Sequence, residues 1–293
     1  MPLNLSLLQS GVRIIGSVPA PKLVIGEKRA AVGTGFFMTV PSETLDEVRY
    51  GYVLTAHHVL WDQNRIEIQA SNPVTNGELH PPVDVNDWRQ PLPNVDLAVA
   101  PFNPDPKSER TYQSLELERH VLPRSKHPAL GSTVYYVGIL IPLDRPMARA
   151  GTIGAVDQEG LEHDEGYEYP AHLVDCRSYG GFSGSACFIE LDFPSLTPIP
   201  NPFTEIDPGP VGNMYYTTQL CGMFTQHLAD TETSVASKYG VGTMLRSNEI
   251  WVALMSDEMR EERRAWDADN EADKPRLKGA SAEGGDEFGG LRN

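Results

Sequence analysis

Between residues 12 and 101 the chain alternates short apolar runs with breaks of turn-forming residues. Segments 12–16, 31–40, 50–55, 65–69 and 96–101 are rich in β-branched and aromatic residues, and none carries a helical period, so each predicts a strand. Pro91-Leu92-Pro93-Asn94 marks one of the breaks. Residues 103–130 are polar and proline-bearing, which suits a connection between two units. A second set of strand-like runs follows at 132–140, 148–156, 172–176, 184–189, 214–224 and 239–245. Helical spacing is confined to residues 249–265, where Ile250, Leu254 and Met255 share one face and Glu and Arg crowd beyond them. This pattern predicts an all-β fold, an antiparallel barrel or sandwich, with a C-terminal helix. Residues 191–213 hold six prolines and read as a surface insertion or a loop that borders a cleft. From residue 273 the chain turns small, polar and acidic, which predicts a disordered tail.

Composition narrows the picture. With 293 residues and 40% hydrophobic content the chain can bury a substantial core, in one large domain or two smaller ones. The net charge is −16, and residues 256–293 hold eleven acidic and seven basic side chains, so most of the excess lies on the body. Nucleic acid is a poor partner for such a surface. The N-terminus lacks a basic, long apolar leader and no run is long enough to cross a bilayer, so the expectation is a cytoplasmic protein without a membrane partner. Three cysteines, Cys176, Cys187 and Cys221, fit a reducing compartment as buried thiols, with a single Cys176–Cys187 or Cys187–Cys221 bridge left open. No histidine or cysteine spacing suggests a metal, and neither a metal nor another cofactor is expected.

Candidate chemistry lies in three places. In Gly180-Gly181-Phe182-Ser183-Gly184-Ser185-Ala186 a serine sits between glycines, where a turn can expose its hydroxyl and aim backbone N–H groups at an anion. A serine needs a base and an orienting carboxylate to act as a nucleophile. Tyr52-Val53-Leu54-Thr55-Ala56-His57-His58-Val59 and Asn94-Val95-Asp96-Leu97-Ala98-Val99-Ala100 offer both, each at the edge of an apolar run.

The chain order His, Asp, Ser, together with these flanks, resembles the trypsin/chymotrypsin-like serine proteases, of which this would be an intracellular, disulfide-poor member. Gly33-Thr34-Gly35-Phe36-Phe37 precedes Val53 to His58 as a Gly-x-Gly-Phe strand precedes the family's Thr-Ala-x-His turn; Asp96 opens an Asp-Leu-Ala-Val strand; Ser183 lies in Gly-x-Ser-Gly-Ser. The resemblance implies two antiparallel six-stranded β-barrels with the active site in the cleft between them. The first, residues 1–110, would carry His58 and Asp96, and the second, 111–247, would carry Ser183. A helix at 248–272 and the acidic tail at 273–293 would follow. It implies Ser183 as nucleophile, His58 as base, Asp96 as its orienting partner, and the N–H groups of Gly181 and Ser183 as an oxyanion hole, worth roughly 3 kcal/mol per donor. His57, adjacent to His58, would be a packed or hydrogen-bonded neighbour. The family's specificity pocket maps onto Arg177, Thr225, Gln226 and His227. Either Arg177 and His227 select an acidic side chain before the scissile bond, or Arg177 turns outward to solvent or Asp175. Zymogen-activated members have aspartate before the serine, where this chain has Phe182. The ion pair with a freed N-terminus cannot form here, so the oxyanion loop must be ordered in another way.

The function implied is a serine endopeptidase acting on polypeptides, with a regulatory protein partner left open. A protease-fold binding or partner-activated latent protein, with weak or no resting catalysis, is the competing reading that Phe182 motivates. An α/β-hydrolase using Ser183 with Asp207 and His227 would require helices between the strands, and the pattern does not supply them.

Overall fold

Most of the apolar runs read from the sequence pair as strands. The computed structural model describes residues 11–19, 27–46, 48–61, 66–70, 85–102, 114–140, 145–159, 161, 166–176, 181–193, 215–229 and 238–282. The N-terminal strands are β1 (Gly11–Pro19), β2 (Glu27–Pro41), β3 (Arg49–Thr55), β4 (Ile66–Ala70), β5 (Ala98–Pro101) and β6 (Leu115–Glu116). They form one sheet in the order β4-β1-β2-β3-β5, antiparallel throughout, with β6 lying parallel to β2. A closed barrel was expected here, but among the described residues no pairing joins β4 to β5. The outer edge of β5 is taken instead by Arg89, which exchanges hydrogen bonds with Val99 at 2.7 and 2.9 Å.

The second unit is the expected closed barrel. It consists of β7 (Thr133–Leu140), β8 (Arg145–Gln158), β9 (Ala171–Asp175), β10 (Ala186–Phe193), β11 (Tyr215–Ala229) and β12 (Lys238–Arg246), closed in the order β10-β11-β12-β9-β8-β7. The run Ala186-Cys187-Phe188-Ile189 is apolar at every position because both faces of β10 are covered. Cys187 and Ile189 fill the barrel with Tyr136, Val174 and Phe224, while Ala186 and Phe188 join the core shared with the N-terminal sheet. Cys176, Cys187 and Cys221 are all buried free thiols, so neither bridge left open by the sequence is formed. The proline-rich insertion lies almost wholly outside the described residues; Phe193 and Tyr215, which flank its described limits, pair with each other.

The single helix expected at the C-terminus is two. After a short α1 (Leu117–His120), α2 (Ser247–Leu254) and α3 (Asp257–Ala282) are separated by Met255 and Ser256. Helix α3 continues to Ala282, into the stretch expected to be an acidic tail; residues 283–293 lie outside the described residues. Three side chains dock it. Arg263, fully buried, donates to the Leu254 carbonyl at 2.8 Å and to the Tyr52 hydroxyl at 3.4 Å. Trp266 packs on Tyr50 and Tyr52 at ring distances of 5.0 and 6.1 Å. Asp267 accepts hydrogen bonds from Ser42 and Thr44, both at 2.7 Å, and from the Tyr50 hydroxyl. Burial opposes its charge, but these three donors prevail and hold the carboxyl below its usual range. Among the described residues no helix is long and apolar enough to cross a membrane.

One buried histidine ties stability to pH. His172 on β9 is 2% exposed and accepts the backbone N–H of Asp157 at Nδ1, 3.2 Å away. Burial lowers its pKa from 6.5 to about 4, against the partial opposition of the Asp157 carboxylate and with help from Arg246 and His127. Between those values the unfolded chain binds a proton that the folded chain refuses. Stability is therefore full above pH 6.5 and falls as pH drops toward 4, by about 3 kcal/mol. A His172→Asn variant, which keeps an acceptor for the Asp157 N–H, is expected to show a flatter Tm profile over this window; identical slopes would refute the assignment.

Candidate active site

Strand β3 ends at Thr55, whose hydroxyl donates to the Thr34 carbonyl at 2.7 Å. The chain then passes through extended Ala56 into a single 3₁₀ turn, His57–Leu60, held by buried Val59 and Leu60. Val59 presses against β2 at Gly33, where a Cβ would lie 2.5 Å from it. The two adjacent histidines consequently face different partners.

His58 meets Asp96. Oδ1 of Asp96 accepts the His58 backbone N–H at 3.0 Å and Oδ2 faces Nδ1 at 2.7 Å, with the aspartate side chain 3% and the histidine 25% exposed. A carboxylate only accepts, so Nδ1 carries the hydrogen and the acceptor lone pair falls on Nε2. Asp96 is itself held in a tight turn just before β5, with the Leu97 N–H on the Val95 carbonyl at 2.7 Å.

His57 turns to Tyr167 and Trp61, whose hydroxyl and indole N–H lie 2.6 and 3.3 Å from its Nδ1. Burial lowers its pKa, with nearby Asp96 opposing only in part. Tyr167 and Tyr169 come from the stretch between β8 and β9, which crosses to the N-terminal sheet through a Glu168 N–H to Asn94 carbonyl bond of 3.2 Å. Neither tyrosine has a local sequence signal that points to the histidines. Burial pushes the Tyr169 phenol well above its usual value, and the Asp96 charge adds to this.

The Ser183 turn docks onto the same corner. Gly181 and Gly184 have φ of 103° and 86°, a region closed to most side chains. A Cβ on Gly184 would lie 1.9 Å from the Thr34 carbonyl oxygen and 2.5 Å from the Thr55 hydroxyl, three residues before His58. Ser185 N–H closes the turn onto the Phe182 carbonyl at 3.0 Å, and Gly184 N–H reaches the Phe224 carbonyl at 2.8 Å. Among the described residues neither the Gly181 nor the Ser183 N–H donates to a backbone carbonyl. Packing at Gly184 brings the Ser183 and His58 segments together.

Phe182 is fully buried in the barrel, edge-on to Tyr136 at 5.6 Å and 5.8 Å from the Arg149 guanidinium carbon. A Cβ on Gly138 would lie 2.5 Å from its ring. Where zymogen-activated relatives would place a carboxylate, this chain buries an apolar anchor.

Of the four specificity candidates, Arg177 lies outside the described residues and His227 is described only as backbone, paired with Gly242. Thr225 is fully buried with its hydroxyl on that of Thr243 at 2.9 Å. Gln226 is half-buried, its N–H directed to the Thr243 hydroxyl at 3.3 Å. Among the described residues no group of three His, Cys, Asp or Glu side chains could hold a metal ion.

Comparison with known proteins matches residues 33–191 to the family described as Trypsin-like peptidase domain. Among solved structures, the chain is similar to the apo MamO protease domain from Magnetospirillum magneticum, at 14% identity and a TM-score of 0.54, over 87% of this chain and 100% of that one. It is also similar to the HtrA-type protease AlgW with tripeptide, at 14% identity and a TM-score of 0.51, over 85% of this chain but only 61% of AlgW. At these identities the likeness concerns the fold. No curated protein matches the sequence.

Proposed function

The chain belongs to the trypsin-like peptidase domain family, and from that premise we propose that it is a serine endopeptidase acting through Ser183, His58 and Asp96. The observation that carries this reading is the double hydrogen bond by which Asp96 fixes both the backbone and the imidazole of His58, beside the glycine-bounded turn that presents Ser183. The N-terminal sheet stands for the family's first barrel, and the peptide lies in the cleft between it and the closed barrel.

In the proposed cycle the Ser183 hydroxyl oxygen attacks the scissile carbonyl carbon as its proton passes to Nε2 of His58. Asp96 stabilises the imidazolium, and the N–H groups of Gly181 and Ser183 take the oxyanion. The C–N bond breaks as the imidazolium protonates the leaving amine, which leaves an ester on Ser183. Water, deprotonated by His58, then releases the acid and restores the serine. Serine and histidine need not be in hydrogen-bond contact at rest, because such bonds often tighten only with substrate bound. Arg177 and His227 would bias the pocket toward acidic side chains.

Labelling of the purified protein with a fluorophosphonate tests the reading. The wild type is expected to label, the Ser183→Ala variant not at all and the His58→Ala variant far more slowly. A folded wild type that does not label would overturn a resting peptidase and favour a latent or purely binding protein awaiting a partner.

A further inference from the structure

Thr34 stands where the two units and the Ser183 turn meet. It lies on β2, is 1% exposed, and sends its N–H and hydroxyl out of its own sheet. Its N–H donates to the Ser183 carbonyl at 2.9 Å. Its hydroxyl donates to the Gly181 carbonyl at 2.6 Å and accepts the N–H of Ile139, on β7 of the barrel, at 2.9 Å. Its carbonyl accepts the Thr55 hydroxyl at 2.7 Å. The direction of the hydroxyl bond is forced, because an amide N–H only donates and the single hydroxyl hydrogen must then go to the carbonyl.

These bonds fix two peptide groups of the serine turn, one before and one after the group that carries the Ser183 N–H. The Gly181–Phe182 group is held by the Thr34 hydroxyl and the Ser183–Gly184 group by the Thr34 N–H. The group between them is held by Ser185 N–H on the Phe182 carbonyl at 3.0 Å, so the trans Ser183 N–H points away from that bond. The Phe182 ring, sunk in the barrel, pins the same turn from the opposite side.

We propose that Thr34 is a positioning residue for the oxyanion-binding turn. From the N-terminal sheet its hydroxyl fixes the Gly181–Phe182 peptide group, which lies between the two groups that carry the Gly181 and Ser183 donors, and through that link holds both donors, with Phe182 as the opposing anchor. The inference rests on the reading that these two N–H groups bind the oxyanion.

The test compares Thr34→Val, which keeps the shape and removes the hydroxyl, with Thr34→Ser, which keeps the hydroxyl, in the full chain. Thr34→Val is expected to lower kcat roughly 10- to 100-fold, as removing part of an oxyanion site does, with KM within about two-fold. Affinity for a peptide boronic acid, a tetrahedral mimic, is expected to fall in parallel, and Thr34→Ser to recover most of both. Amide exchange at Gly184 and Ser185, whose N–H groups are bonded in the turn, should quicken in Thr34→Val and not in Thr34→Ser. A Thr34→Val variant with wild-type kcat and boronate affinity would overturn the proposal. So would a loss that Thr34→Ser shares and that only follows a lowered Tm. A wild type that fails to label with fluorophosphonate defeats the peptidase reading instead, and the amide-exchange comparison then decides the clamp by itself.

Discussion

An Asp96→Asn variant is expected to fold like the wild type and to hydrolyse peptides about 10⁴-fold more slowly, with the loss in kcat. The reason lies in how the two carboxylate oxygens are shared. One accepts the His58 backbone N–H at 3.0 Å and the other faces Nδ1 at 2.7 Å. Asparagine can keep its oxygen on the backbone N–H only by presenting its NH₂ to Nδ1. That makes Nδ1 the acceptor and moves the imidazole hydrogen to Nε2, the atom that must take the serine proton. The side chain keeps its shape and the base loses its lone pair. Steady-state kinetics beside a thermal melt check this: an unchanged Tm with a collapsed kcat is expected, and a kcat within tenfold of wild type would remove Asp96 from the mechanism.

The second large effect is expected at Gly184. An alanine there must hold φ near 86° and place a methyl 1.9 Å from the Thr34 carbonyl oxygen, and neither backbone nor strand can yield cheaply. Gly184→Ala is expected to destabilise the protein by more than about 4 kcal/mol. That corresponds to a Tm fall of roughly 8–16 °C. Fluorophosphonate labelling should disappear even in whatever fraction stays folded at low temperature, because the turn cannot dock beside Thr55. Calorimetry and labelling at 10 °C would show both. Retained labelling would mean that the turn tolerates displacement from β2.

Most strands were legible because alternation and β-branched runs are local signals, and β10 shows why its run was continuous: both its faces are covered. The candidate His58–Asp96 pair was legible for a similar reason, each residue ending or opening an apolar strand in a recognisable local pattern. What the sequence hid is carried by long-range contacts. Arg263 read as one of the Glu and Arg residues of a charged helix face, yet it is buried against Tyr52, and Asp267, which no local pattern singled out, is buried on Ser42 and Thr44; these partners lie more than 200 residues away. Thr34 was one residue of a strand motif until the Gly181 and Ile139 backbones came to it. Phe182 was visible as a departure from the family pattern, but that its ring would fill the barrel beside Tyr136 depended on the room left at Gly138. The edge of β5 was likewise undecided by local pattern, since its partner is the isolated residue Arg89.

The docking of α3 sets an order of events during synthesis. Ser42, Thr44 and Tyr50 find their common acceptor only when Asp267 has been made. At ribosomal speeds of about 5–20 residues per second, that interval is roughly 10–40 s. Until then the face of Tyr50 and Tyr52 that Trp266 covers in the finished fold lacks that cover. The last helix thus acts as the closing step of the first half's folding, and shortening it should show itself as aggregation during expression before it shows as any change in mature chemistry.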